Sequence, residues 1–191
     1  DMSGVAETYY KINDGPNRSI GTDGQPLITT ESANNKLEYW SIDNAGNEEN
    51  HHILTEIKSD KTPPTISGAP TTLPNLYGWY NTNLIVHFDA NDALSGLDTL
   101  TPDQTLSAEG AGQFVTGTAT DKAGNTASFT VSNINIDKTP PTISGAPTTP
   151  ANIHGWYKTN VVIHFDASDS LSGMDSLTPD ITLSSEASGQ S

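Results

Sequence analysis

The sequence predicts an all-β protein built of small sandwich domains in tandem, on three observations. Laid on itself at an offset of 77 residues, the chain brings Asp60-Lys61-Thr62-Pro63-Pro64-Thr65-Ile66-Ser67-Gly68-Ala69-Pro70 onto Asp137 through Pro147, and self-similarity at a fixed period marks a repeated structural unit. Its apolar residues fall in short runs of two-residue period, the spacing of half-buried strands. No run of ten or more residues carries the 3.6-residue apolar period of an amphipathic helix.

The offset persists to the last residue. Gly78-Trp79-Tyr80 maps onto Gly155-Trp156-Tyr157, His87-Phe88-Asp89-Ala90 onto His164-Phe165-Asp166-Ala167, and Leu100-Thr101-Pro102-Asp103 onto Leu177-Thr178-Pro179-Asp180. Residues 60–136 therefore read as one complete unit. Residues 1–59 read as the closing part of a diverged unit: Asp43-Asn44-Ala45-Gly46-Asn47 answers Asp121-Lys122-Ala123-Gly124-Asn125, and Asp1-Met2-Ser3-Gly4 resembles Asp92-Ala93-Leu94-Ser95-Gly96. Residues 137–191 read as the opening part of a third, stopping before its version of 115–136.

Within the complete unit, Thr65 to Ser67 opens the first strand. Leu84-Ile85-Val86-His87-Phe88 is a strand with Leu84, Val86 and Phe88 on one face and Ile85 and His87 on the other. Residues 91–113 supply short strands broken by Pro102 and Gly110. The runs 114–120 and 127–134 flank Asp121 to Asn125, where Gly124 suits a tight hairpin. The strands of 60–114 are expected to recur in 137–191. Short strands, regular turns and no helix are the pattern of a sandwich.

Composition narrows function. With 8 Lys+Arg against 23 Asp+Glu, a net charge of −15, the chain has no basic surface to neutralise phosphates, so nucleic acid is not an expected partner. At 33% apolar residues it is lean, as several small domains are. There is no cysteine for a disulfide, a zinc thiolate or a nucleophile. No apolar stretch of 18 residues appears, so insertion in a membrane as a helix is not expected, and no basic and apolar leader opens the sequence. No Gly-x-Ser-x-Gly, His-Glu-x-x-His or phosphate loop is present, and a catalytic centre is seldom copied with every structural unit.

The motifs DKTPPTISGAP, GWYNTN, FDANDALSGL and GTATDKAGNTA resemble those of bacterial immunoglobulin-like repeats, which occur in surface adhesins and between modules of secreted polysaccharide-degrading enzymes. The resemblance covers all three units. Unit one, with Tyr9-Tyr10-Lys11-Ile12 and Glu38-Tyr39-Trp40-Ser41-Ile42-Asp43, is similar to a related OmpL-type repeat class named for an outer-membrane β-barrel, although no membrane-facing apolar band is readable. The resemblance implies tandem immunoglobulin-like sandwiches, a secreted or cell-surface location, and calcium at some domain junctions.

Three groups of side chains are candidate sites. With strands in immunoglobulin order, Asp60, Asp89, Asp92, Asp98, Asp121 and Asn125 approach one pole. Of these, Asp60, Asp92, Asp121 and Asn125 are the expected calcium ligands at the first junction, with Asp137 and Asp169 as an incomplete second set. Calcium takes six to eight oxygens; the alternative is that Asp and Asn stand there as turn formers. Trp40, Trp79 and Trp156 are candidate platforms for sugar rings or a protein partner, against packing in small cores. Trp40 is expected to face outward because alternation turns Tyr39 in. His87 and His164 are expected outward, each on one face with Asp89 or Asp166, while adjacent His51 and His52 point to opposite faces.

Two functions fit. One is a non-catalytic spacer or stalk whose Pro63-Pro64 and Pro140-Pro141 linkers restrict bending, carrying other modules of the same polypeptide. The other is an adhesion module that binds a glycan or protein through its tryptophans.

Overall fold

The computed structural model describes residues 4–21 and 24–185 of the chain, so the comparison drawn for Asp1, Met2 and Ser3 lies outside the described residues. Among the described residues there is no helix, and the fold is all-β. Strands β1 (Val5–Ile12), β2 (Arg18–Ile20), β3 (Ser32–Asp43) and β4 (His52–Ser59) form one sheet in the order β2-β1-β3-β4. The next stretch gives β5 (Thr65–Pro70), β6 (Trp79–Tyr80), β7 (Leu84–Asn91), β8 (Leu97–Leu100), β9 (Gln104–Leu106), β10 (Gly110–Asp121) and β11 (Thr126–Ile136). These make two sheets, β5-β7-β9 and β6-β11-β10-β8. The last sheet is β12-β13-β14, from Thr142–Pro147, Val161–Ser168 and Ile181–Leu183. Such sheets without helices fit a β-sandwich class.

Alternation decides β7: Leu84 (1% exposed), Val86 (0%) and Phe88 (2%) are buried while Ile85 and His87 are exposed. Pro102 falls between β8 and β9, where no N–H is needed for a ladder. At Gly117 a Cβ would stand 2.6 Å from the Phe88 ring, so glycine lets β10 close on that ring.

The 77-residue offset carries β5 onto β12, β7 onto β13 and β9 onto β14 with the same boundaries. It does not carry β6 or β8, whose counterparts at 156–157 and 174–177 are not strands. The expectation that all strands recur is met for one sheet only. The reason is pairing: β6 and β8 hydrogen-bond to β11 and β10, and no described strand corresponds to those two. A lone strand leaves its backbone groups unpaired and does not persist.

By compactness the chain divides into two units. The first comprises Asp1–Ala69, His87–Asp103 and Thr116–Thr130, the second Pro70–Val86, Gln104–Val115 and Val131–Ser191. In the first, Trp40, Phe88 and Ala119 are buried together with Asn35 and Asp121. In the second the buried residues are Tyr80, Leu84, Val86, Ile134, Ile136 and Asp137. The segment Asp60 to Pro64 lies inside the first unit and Asp137 to Pro141 inside the second.

Phe88→Ala is expected to cost about 3–5 kcal/mol in denaturant unfolding, as removal of a fully buried ring does. Phe165→Ala, at the equivalent half-buried position, should cost less than half of that; equal losses would contradict this account of the core.

Candidate functional site

Matching sets of side-chain hydrogen bonds are concentrated where each DKTPP segment begins. Asp60 Oδ1 accepts the Thr62 N–H at 3.1 Å and its Oδ2 accepts the Ser95 N–H at 2.9 Å. Asp137 does the same with Thr139 at 3.1 Å and Ser172 at 2.9 Å. Beside each lies a second aspartate that closes a tight loop. Asp92 Oδ1 accepts the N–H of Leu94 and Gly96 and the Ser95 hydroxyl, and Asp169 Oδ1 accepts those of Leu171, Gly173 and Ser172. The Ser95 hydroxyl, followed by the Thr62 and Ser95 amides, holds the Asp60 carboxyl below its ordinary range, and the Ser172 hydroxyl and amide lower Asp137 in the same way.

The following residues of each segment are gripped by a glutamate that sequence reasoning missed. The Lys61 N–H donates to Glu31 at 2.6 Å, the Thr62 hydroxyl donates to the same carboxylate at 2.9 Å, and Lys61 Nζ donates to the Thr29 carbonyl at 2.8 Å. At the second segment the Lys138 N–H donates to Glu109 at 2.6 Å and the Thr139 hydroxyl to the same carboxylate at 3.0 Å. Lys138 Nζ reaches the Ser107 carbonyl at 2.6 Å and Asn83 Oδ1 at 3.2 Å. The available signal was an acidic residue 30 positions before Lys61 and 29 before Lys138.

Of the expected calcium ligands, Asp60, Asp92 and Asp121 come together, each offering an oxygen within 4.8 Å of the others. Asp121 is buried, 1% exposed. Its Oδ1 accepts the Ala123 and Asn125 N–H groups and its Oδ2 the Asn125 side-chain amide at 2.8 Å. Asn125 also turns its Nδ2 to the Asp60 carbonyl at 3.3 Å, so its amide nitrogen ties the hairpin to the start of the DKTPP segment. Asp43 makes the same three bonds with Ala45 and Asn47. The hairpin turn alone therefore accounts for the partners of Asp121. Asp137 and Asp169 are bridged by Ser172 without a third carboxylate among the described residues. Asp89 and Asp98 lie outside the cluster; Asp89 approaches His87 instead.

The tryptophans separate. Trp40 is 3% exposed, which corrects the expectation of an outward ring: it is stacked against Tyr9 (5.7 Å) and His51 (4.1 Å), with Lys11 Nζ 5.2 Å from its centre. Strand alternation fixes which residues share a face but not which face is covered, and here the adjoining His51 loop closes over Trp40. Trp79 is half-buried in β6, while Trp156 is 59% exposed.

His51 and His52 do point apart, to Trp40 and Tyr39 respectively. His87 and His164 are exposed as expected, but their close partners are Asp103 at 2.6 Å and Asp180 at 2.8 Å, with Asp89 and Asp166 farther off at 3.4 and 3.6 Å. Hydrogen bonding to Asp103 and Asp180, then their charge, raises both imidazoles above their ordinary value. His51 is raised likewise by Glu38 and then Glu48.

Comparison with protein-family models, with curated proteins and with solved structures finds no match for this chain.

A histidine whose pKa is raised by folding adds stability that is full below its unfolded value, about 6.5, and is lost as pH rises through the folded one. Proton NMR titration should place His87 and His164 above that value. Asp103→Asn should lower His87 toward the ordinary range and leave His164 unchanged; an unaltered His87 curve would contradict the assignment.

Proposed function

We propose that this chain is a segment of a non-catalytic stalk: tandem immunoglobulin-like domains of a secreted or cell-surface protein, whose junctions are held stiff so that other modules of the same polypeptide stand at a distance. The observation that carries the reading is that both DKT segments are gripped by the same set of bonds, from Glu31 at one and Glu109 at the other. A linker meant to flex has no use for a carboxylate that fixes its backbone N–H and its threonine hydroxyl. A net hydrogen bond contributes about 0.5–1.5 kcal/mol, and exposure puts these toward the low end, so the stiffness is cumulative. Pro63-Pro64 and Pro140-Pro141 add a restriction of φ that needs no partner.

Calcium is the second part of the proposal. Asp60, Asp92 and Asp121 would hold it, since three carboxylates this close repel unless donors or a cation intervene, and backbone carbonyls or water would complete its shell. Trp156, with Tyr157 beside it 37% exposed, favours a second reading in which the array also contacts a glycan or protein.

The chain has no cysteine, so Ser19→Cys with Thr99→Cys gives a unique dye pair across the first junction. Single-molecule energy transfer should show a narrow distance distribution that broadens in Glu31→Ala. A wild-type distribution as broad as that of the variant would overturn the clamped stalk. The same pair in chelator and in millimolar calcium tests the metal separately: narrowing by calcium that Asp121→Asn abolishes supports it, and identical distributions remove calcium from the proposal while leaving the clamp.

A further inference from the structure

We infer that the His51 ring is a pH-operated cover for Trp40, closed over the indole while the imidazole carries both of its protons and displaced when it loses one. The inference is independent of the stalk reading and rests on the geometry of one cluster on the first sheet. The His51 and Trp40 rings lie 4.1 Å apart, centre to centre, and within 10° of parallel. Among the described residues Tyr9 is the other ring stacked on Trp40, at 5.7 Å. Strand pairing sets that second contact, since Tyr9 and Trp40 are register partners on β1 and β3. His51 stands just before β4, outside the ladder, so its ring is placed by its own hydrogen bonds.

Those bonds demand the cation. Nδ1 stands 2.5 Å from a Glu38 oxygen and Nε2 stands 2.8 Å from a Glu48 oxygen. A carboxylate only accepts, so both contacts are hydrogen bonds only when both ring nitrogens carry a proton. Neutral imidazole keeps one N–H, and its bare nitrogen then turns a lone pair to a carboxylate oxygen at close range. Turning the ring relieves that repulsion and takes it off the indole. The two acceptors sit on separately held pieces of backbone, Glu38 in β3 and Glu48 in a bridge with Ile42.

The groups around the cluster set the pH at which it operates. From β1, Lys11 Nζ lies 3.6 Å from Glu38 and 5.2 Å from the centre of Trp40, and Lys36 adds positive charge near Glu38 from the same strand as that residue. Tyr9 donates its hydroxyl to Glu7 at 2.6 Å, a bond that raises its pKa, so Tyr9 stays neutral throughout the imidazole range. From β4, His52 stacks on Tyr39 and approaches Glu49 at 3.6 Å, away from Trp40. Hydrogen bonding to Glu38, then to Glu48, raises His51 above its ordinary value. The cover is therefore complete below about pH 6.5, the unfolded value, and is lost as pH rises through the higher folded one. What it uncovers is the indole face beside Tyr9 and Lys11, an aromatic surface that lower pH hides.

The test uses the full chain with Trp79→Phe and Trp156→Phe, which leaves Trp40 as its single tryptophan. Acrylamide quenching of its emission is followed from about pH 5 to about pH 9, which brackets a raised imidazole. The quenching constant should rise severalfold, with the midpoint that proton NMR gives for His51. Glu48→Gln should move both midpoints to lower pH together, and His51→Phe, a ring with no proton to lose, should keep quenching low throughout. In the unaltered chain the nuclear Overhauser contact between the His51 and Trp40 rings should fade over the same interval, a reading that depends on no substitution. A quenching constant that stays level while His51 titrates, an equal rise in His51→Phe, or a ring contact that persists above the His51 midpoint would overturn the inference.

Discussion

Asp60 and Asp137 each accept two backbone N–H groups, one from the residue two positions on and one from a loop 35 residues later. A carboxylate so engaged fixes the direction in which the chain leaves one sheet and enters the next. The amide dipoles that surround it also make its charge tolerable in a strongly acidic protein. The glutamate grip on the following Lys and Thr depends on that direction, because the Lys N–H and the Thr hydroxyl reach one carboxylate only when the backbone between them is held. The Asp121 hairpin, placed so that Asn125 meets the Asp60 carbonyl, depends on it too. The segments Asp60 to Pro64 and Asp137 to Pro141 each pack with the residues that hold them, within one compact unit.

Much of this was legible in the sequence, for reasons that differ by element. β7 was readable because Leu84, Val86 and Phe88 stand two apart in a β-branched, apolar run, and burial follows that period. The DxAGN hairpin was readable because the turn needs an acceptor at its first position and a residue of positive φ at its fourth, met by Asp121 and Gly124 (φ 91°). The equivalence of β5, β7 and β9 with β12, β13 and β14 follows from identity of pattern. What pattern does not carry is dependence on a partner: β6 and β8 exist through β11 and β10, and the same residue types at 156–157 and 174–177 stay irregular.

The site was less legible than the fold. Convergence of Asp60, Asp92 and Asp121 was readable once loops were assigned to one pole, but the orientation of the Asn125 amide is set by three acceptors that no spacing rule lists. Glu31 and Glu109 were invisible because an isolated glutamate in a loop has no local signature. Their message lies in recurrence before each DKT, and Glu186 stands at the matching place 77 residues after Glu109. Trp40 was misread because the cover comes from His51, a residue whose position next to a turn says nothing about stacking. Asp103 was missed as the partner of His87 because it arrives from β9's leading edge, 16 residues away in sequence.

The clamp is a statement about particular amides. Lys61 and Lys138 lie in irregular, solvent-exposed segments, where an unbonded N–H exchanges with solvent as fast as in an unfolded chain. Hydrogen exchange followed residue by residue by NMR measures them directly. The account predicts that both amides are protected well beyond their exposed surroundings, and that Glu31→Ala releases Lys61 while leaving Lys138 protected. Exchange of Lys61 and Lys138 at unfolded-chain rates in the wild-type protein would contradict it.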